Sequence, residues 1–153
     1  MDIHASLEAA GLKLPDVARP AGVYLPAVRS GDLIFVAGQI PTVDGKLLAA
    51  GPVPSSVGLE QAQAAARQCL LNALAAIDSE LGGDWGRFDR VVRLGVFVCS
   101  DDAFTGQAQV ANAASELLGQ LFGPAGEHAR VAIGVNALPL GSAVEVELLI
   151  QAG

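Results

Sequence analysis

The chain has 153 residues, 52% of them apolar and only 16% charged, and a formal net charge of −7. That length suits one domain with a sizeable core, and nine Lys and Arg against sixteen Asp and Glu form no basic stripe for a phosphate backbone, so nucleic acid is not an expected partner. A charged fraction below the roughly 25% of an average soluble domain leaves apolar surface to cover, and a subunit interface is one place for it.

The apolar runs are broken by Gly, Arg or Asp well short of about 18 residues, so no membrane association is expected. Residues 1–20 lack the basic start and apolar centre of a secretory signal. With only Cys69 and Cys99, one in a helical pattern and one at a strand end, the expectation is a cytoplasmic protein with two free, buried thiols. His4 and His128 have no metal-ligand spacing, so no metal is expected.

In chain order, Asp2–Gly11 reads as a short helix capped by Asp2 and stopped by Gly11, followed by a Pro-punctuated connector through Pro20. Val23–Val28 reads as an edge strand, because Pro26 cannot donate to a ladder from its interior. Arg29-Ser30-Gly31-Asp32 is a turn into the strand Leu33–Gln39, which is apolar on both faces. A helix layer covers one of those faces, so something else must cover the other. Pro41–Gly58 is a loop with a tight turn at Val43-Asp44-Gly45-Lys46. A long helix runs from Leu59 to Leu81, with Ala62, Ala66, Cys69, Leu70, Ala73, Leu74 and Ile77 at helical spacing and Gly82-Gly83 as its stop. A strand follows at Arg90–Cys99, with Val92, Leu94, Val96 and Val98 on one face and Val91, Arg93, Gly95 and Phe97 on the other. A second helix spans Ala103–Phe122.

The last stretch, Arg130–Leu149, holds two alternating runs joined by Leu138-Pro139-Leu140-Gly141-Ser142 and reads as a hairpin. In the first run Arg130, Ala132, Gly134 and Asn136 share a face, opposite Val131, Ile133 and Val135. In the second, Glu145 and Glu147 lie opposite Val144, Val146 and Leu148. Paired with apolar faces together, the strands set Arg130 and both glutamates on one face, floored by small Ala132 and Gly134. A guanidinium fork there suits a carboxylate ligand, and a glutamate could activate water. A cross-strand salt bridge on an exposed face fits the same pattern. The element order β-β-α-β-α-β-β after the leading helix predicts an α+β fold with two helices on one face of a sheet, in a single domain over residues 1–153 with 1–20 as an N-terminal addition.

These stretches together resemble the Rid (YjgF) family, also called the liver perchloric-acid-soluble protein family. The resemblance is carried by Tyr24, by Ser30-Gly31-Asp32-Leu33-Ile34-Phe35-Val36-Ala37-Gly38-Gln39-Ile40-Pro41, by Val92–Val98, by Asn112 and by Arg130–Glu147. It covers roughly residues 20 to 150. It implies a chorismate-mutase-like fold and a homotrimer with a central β-barrel and ligand clefts between subunits, which would cover the second face of Leu33–Gln39. It also implies hydrolysis of reactive enamines and imines, such as 2-aminoacrylate, to 2-keto acids and ammonia without a cofactor. By the same resemblance Arg130 grips the substrate carboxylate and Glu145 positions the attacking water. Tyr24 and Asn112 line the cleft, and the backbones of Gly38 and Ala132 border the ligand.

The chain departs from the deaminating pattern at Ala37, where a serine is common, at Ala132, where a cysteine is common, and at Leu25-Pro26, which replaces a polar pair. Those departures, the N-terminal helix and the longer segment before Asn112 place it in a divergent branch. They keep open a trimer that binds 2-keto acids or related carboxylates without turnover. The endoribonuclease activity attributed to some relatives fits the acidic composition poorly. Among the other polar residues, Arg93 reads as a surface or interface ion-pair member and Glu147 as a partner for an arginine, while His128, just before the strand of Arg130, reads as a solvated loop residue ahead of the alternative that it borders the cleft.

Overall fold

A computed structural model describes residues 3–17 and 22–153; Asp2, the expected cap of the first helix, and Pro20 lie outside them. Helix α1 covers Ile3–Ala9 and buries Ile3 and Leu7. Gly11 ends that segment at φ 70°, a left-handed conformation that costs glycine least. Strands β1 (Ala27–Ser30) and β2 (Leu33–Gln39) form an antiparallel hairpin. The turn between them is shorter than expected and centres on Gly31-Asp32. A small second sheet follows, β3 (Thr42–Val43) against β4 (Lys46–Leu47), its turn made by Asp44 and Gly45 at positive φ. Then come α2 (Leu59–Leu81), β5 (Phe88–Cys99), α3 (Gln107–Phe122), β6 (Ala129–Val135) and β7 (Val144–Ala152).

Helix α2 has the bounds its sequence predicts. All seven apolar positions named above are buried, and Gly82 closes the helix in the left-handed region with its N–H on the carbonyls of Asp78 and Ser79. Helices α2 and α3 lie side by side on one face of the five-stranded sheet, whose order is β1-β2-β7-β5-β6. The core is the layer between them: Ile34 and Val36 of β2, Leu94, Val96 and Val98 of β5, and Val144 to Ile150 at alternate positions of β7.

Four expectations are corrected. The first strand begins at Ala27 rather than Val23, because Pro26 ends the free run. Its carbonyl accepts the Ala37 N–H at 2.9 Å, and Tyr24 sits in a bend ahead of the strand. Helix α3 begins at Gln107 rather than Ala103. The carboxylate of Asp101 is taken by the backbone N–H and hydroxyl of Ser55 at 2.9 and 3.0 Å, which holds residues near 101 as a loop. In β5, register shifts between Phe88 and Arg90 and between Val91 and Arg93 turn Val91, not Val92, into the core.

The fourth correction matters most. Residues 130–149 are not a hairpin. Strand β5 lies between β6 and β7, parallel to β6 and antiparallel to β7. The face of the sheet away from the helices carries Val28, Phe35 and Ile133, each between 43% and 48% exposed, so the second apolar face of β2 has no helix over it.

Candidate functional site

The register of β5 decides where the candidate residues point. Leu94 pairs with Arg130 on one side and with Leu148 on the other, whereas Phe97 pairs with Ile133 and Glu145. Leu94 is fully buried under the helices, so Arg130 projects to the helix face. Glu145 alternates with buried Val144 and Val146 and projects to the open face. Within one chain the two candidate catalytic residues therefore stand on opposite faces of the sheet. The shared floor inferred from the sequence does not form, because it assumed direct pairing of the two strands.

On one side the structure brings together Glu145, Gly38 and Tyr24, in a cleft of about 690 Å³ whose walls also include Lys13, Asn72 and Leu140. Gly38 makes room for this carboxylate: a Cβ at this position would overlap the end of the Glu145 side chain, which would have to move aside. The Glu145 carboxyl is pushed above the usual glutamate range, first by burial and then by the negative charge of Glu147. Glu147 is paired with Arg93, Nη1 to Oε1 at 3.0 Å, as expected for both. Tyr24 is about half exposed at the cleft mouth. Behind it Asn72, almost wholly buried, donates through Nδ2 to the carbonyls of Ile40 and Thr42 at 2.9 and 3.2 Å, tying α2 to the cleft wall. Cys69 lies below in the core, its thiol pushed up by burial, and is a packing group rather than a nucleophile.

On the other side the structure brings together Arg130, Asn112 and Ala132. The Arg130 Nη1 donates to Asn112 Oδ1 at 2.9 Å and to Ser115 Oγ at 3.0 Å. Both acceptors are neutral, and among the described residues no carboxylate lies within salt-bridge distance of this guanidinium. Ala132, two residues along β6 on the same face, packs on the core margin. Asn112 therefore faces a side chain of its own chain.

Two participants were missed. Ser115 lies three residues after Asn112 and so shares its helix face. His128 is no solvated loop residue: it is half-buried, with Nε2 3.0 Å from Ser115 Oγ and Nδ1 2.6 Å from the Gly126 carbonyl. Both spacings, i,i+3 on the helix and i,i+2 before Arg130 on the strand, were visible in the sequence. Among the described residues no group of three or more His, Cys, Asp or Glu could hold a metal ion, and no helix is long and apolar enough to cross a membrane.

Residues 4–152 match the family described as "YjgF/chorismate_mutase-like, putative endoribonuclease". Protein TCP17 of Trypanosoma cruzi is 43% identical over 150 residues, which cover 97% of this chain and 93% of that one. Among solved structures, Atu1372 of Agrobacterium tumefaciens superposes with a TM-score of 0.91 at 36% identity, over 99% of this chain and 92% of that one. A Shewanella oneidensis protein described as a "putative endoribonuclease" superposes at 0.94 with 31% identity, over 99% of each chain. With the family match over nearly the whole length and backbones that superpose this closely, this chain belongs to the YjgF/chorismate-mutase-like family.

Proposed function

We propose that this chain is an imine deaminase of the Rid type, hydrolysing 2-imino acids and their enamine tautomers to 2-keto acids and ammonia, and that it works as a homotrimer in the cytoplasm. The observation that carries the reading is the state of Arg130. It is a cation fixed by neutral acceptors on an edge strand, with Nε and Nη2 making no hydrogen bond among the described residues. Such a fork fits a carboxylate through two parallel bonds.

In the proposed reaction Arg130 orients the acid, and the imine carbon meets a water held by the Glu145 carboxylate. As the C–O bond forms, Glu145 takes a proton from the water. It passes that proton to the imine nitrogen, giving a carbinolamine; a second transfer, from the new hydroxyl through Glu145 to the amine, lets the C–N bond break as the C=O bond forms, leaving the keto acid and ammonia. A carboxyl raised above its usual range is the stronger proton acceptor, which suits a group that must both accept and return a proton. Since Arg130 and Glu145 occupy opposite faces of one sheet, their meeting requires a second copy of the chain. The uncovered apolar face with Phe35 and Ile133 is where copies would pack. Two free cysteines fit a reducing compartment.

The test generates 2-iminobutyrate in situ and follows 2-ketobutyrate formation above the buffer rate. Arg130→Ala and Glu145→Gln should each abolish the acceleration. Absence of any acceleration by the wild type refutes the reaction. Ala37, which brings no hydroxyl beside Gly38, favours a second reading in which the cleft binds keto acids without turnover. Calorimetric binding of 2-ketobutyrate that needs Arg130, without imine hydrolysis, would establish it. Ribonuclease activity is disfavoured by the net charge of −7.

A further inference from the structure

Arg130 is held from behind by a chain of hydrogen bonds whose direction can be worked out atom by atom. The Gly126 carbonyl can only accept, so at 2.6 Å the His128 Nδ1 must carry a proton. In the neutral ring Nε2 is then an acceptor, and the Ser115 hydroxyl 3.0 Å away donates its proton to it. With its proton committed, Ser115 Oγ offers its lone pairs outward, and Arg130 Nη1 donates to it at 3.0 Å. The anchor is rigid as well. Gly126 is buried and pressed so closely on α3 that a Cβ there would run into the Leu118 carbonyl. The carbonyl that sets the histidine tautomer is therefore fixed by backbone packing. The neighbouring Glu127 carbonyl is held by Arg90 Nη2 at 3.2 Å.

We propose that Ser115 and His128 are positioning residues for Arg130: together with Asn112 they occupy Nη1, so that Nε and Nη2 remain as a two-pronged site for a planar, two-oxygen anion, a carboxylate. The role rests on the reading of Arg130 as the substrate grip. A guanidinium on an exposed edge strand would otherwise sample many rotamers, and fixing it beforehand removes that entropy from binding. Both acceptors are neutral, so the arrangement orients the cation without neutralising it. An aspartate at either acceptor position would satisfy the same Nη1 and cancel the charge that the ligand needs.

The experiment titrates 2-ketobutyrate calorimetrically into the full chain as wild type, Arg130→Ala, Ser115→Ala, Ser115→Thr and His128→Ala. Nitrogen NMR shifts of the wild-type imidazole report the tautomer without any ligand. The expected result is binding that is lost in Arg130→Ala and weakened about 3- to 10-fold in Ser115→Ala and in His128→Ala, the range for loss of one hydrogen bond. Ser115→Thr, which keeps the hydroxyl, restores affinity, and the neutral imidazole carries its proton on Nδ1. Wild-type affinity in both alanine variants, with Arg130→Ala still inert, overturns the positioning role alone. A proton on Nε2 overturns the hydrogen-bond direction. No binding by the wild type overturns the carboxylate reading of Arg130, and the positioning role falls with it.

Discussion

The placement of Arg130 and Glu145 on opposite faces of one sheet makes subunit complementation a quantitative test. Removing the Arg130 fork deletes two charge-assisted hydrogen bonds. At the low end appropriate to an exposed group these total about 3 kcal/mol, on the order of 100-fold in kcat/KM. Removing the acid–base carboxyl in Glu145→Gln costs roughly 100- to 10,000-fold. Each variant alone should therefore keep about 1% of wild-type activity or less. If the chain is the proposed homotrimer, a mixed trimer of the two variants has an intact site, drawing Arg130 from one chain and Glu145 from its neighbour, in about one case in three. Co-expression with two different tags, purification through both, and the 2-iminobutyrate assay would measure this. Recovery to tens of per cent of wild type is expected. Doubly tagged trimers no more active than the single variants would show that each site takes both residues from one chain, and would refute the shared-site reasoning.

Gly38→Ala would drive the Glu145 carboxylate from its position and should lower kcat by roughly 100-fold, the cost of about an ångström of misplacement. Its melting temperature should change little, because the displaced group is the mobile end of a half-exposed side chain. The raised Glu145 carboxyl has a stability consequence. Since its folded value exceeds the unfolded one, the native state binds more protons between the two, and stability falls as pH rises through that window. Glu145→Gln should therefore melt higher than wild type at neutral pH, with the difference disappearing below the ordinary glutamate range near about pH 4. An equal or growing difference in acid would contradict the assigned cause. Arg93→Ala removes the partner of Glu147, leaving more negative charge facing Glu145, so the acid limb of the kcat profile should move to higher pH. Leu74→Ala, at a fully buried α2 position, should cost about 2–5 kcal/mol by chemical denaturation, through lost burial and the cavity left behind.

Part of the site could be read beforehand. Glu145 followed from the alternation of its strand and Gly38 from the family resemblance, and the two do meet, because β2 and β7 are neighbours. Arg93 read as an ion-pair member and Glu147 as a partner for an arginine, and the placing of β7 beside β5 joins them to each other. Ser115 and His128 were passed over because each is ordinary alone. Only the docking of α3 beside β6 aligns them behind Arg130. The face assignment of Arg130 against Glu145 failed for a different reason. Alternation shows which residues share a face of one strand, but not which face meets the helices. In β6 the face carrying Val131 and Ile133, the more apolar by composition, is the one turned away from the helices.

Sequence alone determined the elements whose causes are local: α2 from its apolar stripe and glycine stop, β2 from its continuous apolar run, and the Asp44-Gly45 turn from its residue types. Tertiary structure decided the strand order. The connection from β5 through α3 returns the chain parallel to β5, as a helical crossover allows, which leaves β6 at the edge and sends β7 to the other side of β5. That order is a property of no single segment. It separates a cation and a carboxylate only fifteen positions apart, and so makes the proposed chemistry a matter between chains.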